Sequence, residues 1–131
     1  MKISLLLSLF LLTATCAYSQ DTMHIANDQA FTIVQQMPAF KGDMNKYISD
    51  HIQYPDSEKI HSITGTVYIN FIVEKDGSIS NVKVLKGVAN GPRLNKEAVK
   101  VISGMPNWSP GIQDGVPVRV VFNIPIRFSL N

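Results

Sequence analysis

The sequence lacks the residues on which several kinds of chemistry depend. Cys16 is the only cysteine, and it lies close to the N-terminus, just after an apolar run. There is no Gly-x-Ser-x-Gly motif, and the three histidines, His24, His51 and His61, include no pair at the i, i+4 spacing of a helical zinc site. The acidic residues are scattered over predicted turns and polar faces. The sequence therefore gives no support for an enzyme, a catalytic residue, a metal site or a cofactor.

A surplus of charge of one sign is also missing. Lysine and arginine total 12 against 10 aspartate and glutamate, for a formal net charge of +2, and the two signs are interspersed. Proteins that bind nucleic acid or anionic membranes concentrate basic residues on one face. We therefore expect no nucleic-acid partner and no binding to an anionic membrane surface.

Residues 1–19 have the organisation of a secretory signal peptide. Lys2 supplies a positive charge, residues 3–12 form an almost unbroken apolar run, and Ala17 and Ser19 supply the small residues of a cleavage site. The run is short of the roughly 20 residues that span a bilayer. We expect cleavage of this segment and a periplasmic protein without a thiol.

A lipoprotein anchored through Cys16 is the alternative for the N-terminus. The residues before this cysteine, Thr13, Ala14 and Thr15, lack the leucine and the Gly or Ala of a lipobox. The chain after the signal peptide has the length of one domain. We divide it into a flexible lead-in with a short strand, residues 20–36, and one domain, residues 37–131.

Hydrophobic periodicity predicts two main helices and four strands. Apolar residues recur three or four positions apart in the helices and at alternate positions in the strands. Asp43 is a suitable N-cap for the first helix, and Gly104 is suited to the end of the second. The predicted helices cover residues 44–51 and 94–102, and the predicted strands cover residues 31–34, 66–73, 79–85 and 118–128, with a turn of helix within 56–64 and a loop over 105–115.

The last predicted strand, residues 118–128, shows the strictest alternation, with an apolar residue at every even position. Pro117 and Pro125 lie next to it and within it. Proline has no N–H for a ladder and is confined to strand starts, bulges and edges. We therefore place this strand at an edge of its sheet.

Chain connectivity predicts the strand order second, first, last for the three long strands. A helix separates the second strand from the last, so the connection crosses over and the last strand pairs beside the first. We expect a two-layer α+β domain, with a three-stranded antiparallel-mixed sheet and two helices on one face. The predicted core consists of Val67, Ile69, Phe71, Val82, Val84, Ala98, Ile102, Val120, Phe122, Ile124 and Ile126.

An exposed edge strand is either a docking position for an added strand or a site prone to aggregation, which charged residues and proline must protect. Arg119, Val121, Asn123 and Arg127 are our candidate partner-binding residues on this edge. The charged residues among them would also keep a bare edge soluble. Trp108 has two interpretations as well, a packing anchor or a recognition platform.

Several segments resemble the C-terminal domain of TonB proteins in order and spacing. They cover about residues 37–128, and residues 31–40 are similar to the lead-in found in the Bacteroidetes branch of that family. The segments are Gln-Tyr-Pro at 53–55, Gly-Thr-Val-Tyr-Ile at 65–69, Val-Glu-Lys-Asp-Gly-Ser-Ile at 73–79, Leu94 with Glu-Ala-Val at 97–99, Met-Pro-Asn-Trp-Ser-Pro-Gly at 105–111, Gly-Val-Pro-Val at 115–118 and Ile-Pro-Ile-Arg-Phe at 124–128.

This resemblance implies a binding module. TonB proteins connect a proton-driven motor of the inner membrane to outer-membrane transporters, and their C-terminal domain captures the transporter's TonB box as a strand added to the last strand of the sheet. The resemblance also implies that Gln53, Tyr54 and Pro55 lie near the transporter, with Tyr54 shaping the partner groove or stapling its own loop. The alternative is an envelope adaptor or structural protein whose edge pairs with itself, as a homodimer, or with another protein.

Two features of full-length TonB proteins have no counterpart in this sequence. Those proteins carry an uncleaved N-terminal helix with a histidine that engages the motor proteins ExbB and ExbD, followed by a long proline-rich segment. Here the apolar run contains no histidine, and residues 20–37 contain no proline. Both departures argue against a partnership with ExbB and ExbD by the route that full-length TonB proteins use.

Overall fold

A computed structural model describes residues 29–131, so the expected signal peptide and the first part of the lead-in lie outside the described residues. Within residues 29–131, no helix has the length and apolar character needed to cross a membrane. The elements in chain order are α1 (Met44–His51), α2 (Asp56–Ile60), β1 (Gly65–Val73), β2 (Ile79–Lys86), α3 (Pro92–Ser103), β3 (Gly111–Gln113), β4 (Val116–Val118) and β5 (Val120–Phe128).

The main sheet has the order β2-β1-β5, as predicted, and both pairings are antiparallel. β1 and β5 pair without a bulge, from Gly65 opposite Phe128 to Val73 opposite Val120. β2 is less regular, because its register against β1 shifts twice. The sheet therefore has one regular edge, on β5, and one irregular edge, on β2, where Lys83 and Lys86 are exposed.

One face of the sheet carries the core, and the helices pack on that face. Alternate side chains of β1 and β5 point toward the helices, which contribute further apolar residues. Fully burying one such side chain stabilises the fold by about 1.5–3 kcal/mol. The buried residues of this cluster are Val67, Ile69, Phe71, Val73, Leu94, Ala98, Ile102, Met105, Trp108, Ile124, Ile126 and Phe128.

The predicted core is confirmed except on β2 and at one residue of β5. The prediction that Val84 lies in the core is wrong, because its side chain is 37% exposed. It lies on the irregular edge strand, where the shifted register breaks the inside–outside alternation. Val82 and Phe122 are half-buried and pack against the cluster.

Three other sequence assignments need correction. The predicted strand at 31–34 is reduced to a single bridge between Phe31 and Val120. The predicted loop at 105–115 contains β3, which pairs with β4 through a turn at Asp114 and Gly115. The last strand begins at Val120 rather than at residue 118, because Val118 pairs with Gly111 in that hairpin.

Both main helices begin with identifiable caps. The Asp43 side chain accepts a hydrogen bond from the Lys46 N–H at 3.1 Å, which confirms the predicted N-cap of α1. At α3 the N-cap is Gly91, which has no side chain. The buried Glu58 of α2 accepts instead from the Arg93 N–H at 3.0 Å. A carboxylate from a neighbouring helix thus replaces the missing cap.

Trp108 fixes the loop after α3 beneath β5. Its ring is buried, with ring centroids 5.5 Å from that of Phe71 and 5.3 Å from that of Phe122. The backbone N–H of Trp108 donates to the carbonyl of Gly77 at 2.7 Å. The packing interpretation of this tryptophan is therefore confirmed, and the β1–β2 turn is tied to the loop that leads into the last strands.

We expect Gly77→Ala to destabilise the protein by about 3 kcal/mol or more. Gly77 has φ +86°, and an added Cβ would lie 1.9 Å from the Trp108 carbonyl oxygen. Gly115→Ala is the matched control, because Gly115 has φ +75° and nothing lies within 4 Å of its Cβ position. The control should lose only the cost of the left-handed backbone, about 1 kcal/mol. Equal losses in urea denaturation would contradict the proposed clash.

Candidate functional site

The outer edge of β5, on the side away from β1, is the candidate site. The Val121 N–H points to this side, because it donates to the Phe31 carbonyl at 2.7 Å. Backbone groups alternate in direction along a strand, so the N–H groups of Asn123 and Arg127 point outward as well. Pro125 falls in the same outward set. Its missing N–H therefore removes no bond to β1, which explains how a proline lies within this strand.

Most of this edge has no strand from residues 29–131 beside it. Among residues 29–131, β1 and the bridge at Phe31 are the strand partners of β5. No described backbone group bonds to the outward N–H of Asn123 or of Arg127. The edge from Asn123 onward thus presents a row of unused backbone donors and acceptors.

The candidate side chains on β5 differ in their surroundings. Asn123 is exposed, and its side-chain oxygen accepts from the Asn70 amide at 2.7 Å. Val121 is half-buried, and Arg127 is exposed. Asn123 and Arg127 are therefore accessible beside the unpaired edge, and their contact with a partner stays a prediction.

Arg119 is engaged within the protein. Its Nε lies 2.7 Å from Glu74 Oε2, and its Nη2 lies 3.1 Å from Glu74 Oε1. The two side chains are 14% and 25% exposed. The Ser80 hydroxyl also donates to Glu74. This paired geometry joins the start of β5 to the β1–β2 turn.

The Arg119 guanidinium holds the pKa of Glu74 below its usual value of 4.5, and the hydrogen bond from Ser80 acts in the same direction against the effect of burial. Because the pKa is lowered in the folded state, the pair stabilises the protein fully above pH 4.5 and loses this contribution as the pH falls through the folded-state pKa.

We therefore expect Glu74→Gln to lower the free energy of unfolding at pH 7 by about 1 kcal/mol. The variant should also show a shallower loss of stability than the parent as the pH is lowered below 4.5. Denaturant melts at a series of pH values measure both effects. Parallel pH profiles for the two proteins would contradict the assignment.

Gln53, Tyr54 and Pro55 lie at the other end of β5. The Tyr54 ring meets Phe128 edge-on, with centroids 5.7 Å apart, and its hydroxyl donates to the carbonyl of Ile63. The Gln53 N–H donates to Glu97 at 2.9 Å. Tyr54 thus staples its own loop to the sheet. These three residues and Arg119 mark opposite ends of the strand, which the sequence alone did not establish.

The lead-in is the part of the site that sequence reasoning missed. Beyond the bridge at Phe31, Gln36 exchanges two backbone hydrogen bonds with Ile112, at 3.0 and 2.8 Å. Ala39 exchanges two with Ser109, at 3.0 and 2.8 Å. The residues before Met37 are thus attached to the domain. The signals for this attachment were the short strand predicted at 31–34 and the resemblance noted over residues 31–40.

The histidines within the described residues form hydrogen bonds to the backbone of the helices. His51 and His61 each place Nδ1 2.7 Å from the backbone carbonyl four positions earlier, and His51 stacks on Tyr47. Among residues 29–131, no group of three histidine, cysteine, aspartate or glutamate side chains is arranged to hold a metal ion. His24 lies outside the described residues.

Comparisons with known proteins agree with this architecture. Residues 50–130 match the family described as Gram-negative bacterial TonB protein C-terminal. The chain is 31% identical over 83 residues to Protein TonB of Helicobacter pylori strain 26695, covering 63% of this chain and 27% of that protein. Protein TonB of strain J99 matches with the same identity over 83 residues, covering 28% of its length.

The solved structures include a relative of the same kind. The solution NMR structure of a Helicobacter pylori TonB C-terminal domain aligns with a TM-score of 0.50 at 27% identity, covering 66% of this chain and 88% of that one. The chain spans about a quarter of the length of the full-length relatives that it matches.

Proposed function

The chain belongs to the family of Gram-negative bacterial TonB protein C-terminal domains, and we propose that it captures an extended peptide by strand addition to β5. The peptide is the TonB box of an outer-membrane transporter, and its capture supports energy-dependent transport across the envelope. The function is binding, with no catalytic step.

The unpaired edge of β5 is the observation that carries this proposal. A peptide lying along it finds the N–H groups of Asn123 and Arg127 and the carbonyls between them, none of which has a strand partner in the described part of the chain. Each new backbone hydrogen bond contributes about 0.5–1.5 kcal/mol net. Affinity would come from the backbone, and selectivity from the side chains beside it.

The exposed side chains give the edge its chemical character. Asn123 and Arg127 flank Pro125 along the open part of the strand. Gln53, Tyr54 and Pro55 stand at its far end, where Tyr54 contacts Phe128. We assign these three residues to the partner-facing surface as well, with Tyr54 acting mainly through the position of its loop.

Self-pairing through β5 is the second candidate, supported by the same unpaired edge. Two antiparallel copies would each bring Pro125 into the new ladder, and each proline lacks a donor. A peptide with ordinary residues at that position loses only one bond. The geometry therefore favours a foreign strand over a homodimer, and sedimentation at micromolar concentration distinguishes the two.

We place the protein in the periplasm, after cleavage of residues 1–19. Intact-mass measurement on the exported protein tests this placement. We expect a chain beginning near Gln20. A diacylglyceryl group on Cys16 would assign a lipoprotein instead, and a retained N-terminal segment would restore the case for direct contact with ExbB and ExbD.

We expect Asn123→Pro to reduce the affinity for a TonB-box peptide at least tenfold while leaving the denaturation midpoint nearly unchanged. The substitution removes an outward N–H and no bond to β1, and Pro125 shows that an outward position tolerates proline. Asn123→Ala is the matched control, since it keeps the N–H but loses the bond to Asn70. It should bind nearly as well as the parent in calorimetry. Equal affinity of all three proteins would exclude this edge as the binding site.

A further inference from the structure

The bridge at Phe31 occupies one end of the edge that we assign to the partner. The Phe31 N–H donates to the Arg119 carbonyl at 2.8 Å, and the Phe31 carbonyl accepts from the Val121 N–H at 2.7 Å. This is the bonding pattern of a parallel strand. A partner strand reaching this part of β5 would need the same two groups, the Arg119 carbonyl and the Val121 N–H.

The chain on the C-terminal side of this bridge is firmly held. Val34 is buried, and its Cγ2 lies 3.2 Å from the position of a Cβ on Gly111. The Gln35 N–H donates to the Gln113 side chain at 3.0 Å, and the Gln35 side chain accepts from the Asp114 N–H at 2.8 Å. The contacts of Val34 and Gln35 therefore hold the chain in place only three and four residues after Phe31.

The lead-in leaves β5 immediately after Phe31. Thr32 and Ile33 do not continue the bridge, and the Ile33 side chain is 83% exposed. Gln36 is already paired with Ile112 of β3. Among the residues that the structure describes, the lead-in thus covers β5 at one position and leaves the remainder of its outer edge open.

We propose that Phe31 is an end stop for the docking edge. It confines an added strand to the stretch from the Val121 carbonyl to Arg127, about 20 Å at 3.3 Å per residue. This inference rests on the proposed function and adds to it a register and a maximum length. The match to the family covers residues 50–130, so the stop lies on a segment outside that match.

The dependence of binding affinity on peptide length tests the end stop. We would measure binding of a TonB-box peptide trimmed to seven residues and of the same peptide extended by three residues at either end. The proteins are the exported chain, Phe31→Pro and Phe31→Ala. Proline removes the donor to Arg119, whereas alanine removes the side chain and keeps the backbone bridge. The exchange rate of the Val121 amide reports whether the bridge has opened.

In the parent and in Phe31→Ala, we expect extension to leave the affinity unchanged within about twofold. In Phe31→Pro, we expect faster exchange of the Val121 amide and a three- to tenfold gain in affinity from extension at one end. An equal gain in all three proteins would overturn the end stop while leaving docking on β5 intact. An absence of binding by every peptide to every protein would overturn the proposed function and the end stop together.

Discussion

The uninterrupted pairing of β1 with β5 is the constraint on which the rest of the structure depends. Nine residues of each strand pair in one register. That register sends the even-numbered side chains of β5 into the core and the odd-numbered backbone groups outward. A shift by one residue would expose Phe122 and Ile124 and would turn Pro125 toward β1, where its missing N–H would break the ladder. Core packing and the open edge thus require the same register.

The parts around this pairing hold β5 in place from three sides. Trp108 packs below it and is tied to the β1–β2 turn at Gly77. Arg119, the residue just before β5, forms an ion pair with Glu74, the residue just after β1. Tyr54 contacts its last residue, Phe128. An edge held in this way is already extended before a partner arrives, so less conformational entropy is lost when a strand is added.

The sequence predicted the elements whose signals are local and periodic. The alternation in β1 and β5, the helix between the second strand and the last, and the position of Pro125 were sufficient for the strand order and the edge. Asp43 was sufficient for the start of α1. The errors fell where tertiary contacts decide. Val84 followed the alternation of its strand but not the shifted register of β2. The β3–β4 hairpin has strands too short for periodicity to reveal, and the attachment of Phe31 and Gln36 depends on residues about 80 positions away in the chain. The pairing of Arg119 with Glu74 is also non-local, across 45 positions.

The two edges of the sheet differ in a way that bears on growth of the sheet. On β2 the register shifts and the exposed lysines make a poor template for another strand. On β5 the template is regular but short, and the lead-in closes it at one end. A sheet with a single open edge accepts one added strand. It cannot form an open-ended filament of copies, because such a filament needs two complementary surfaces on each copy. The fold therefore allows a partner strand to be added without starting a fibre.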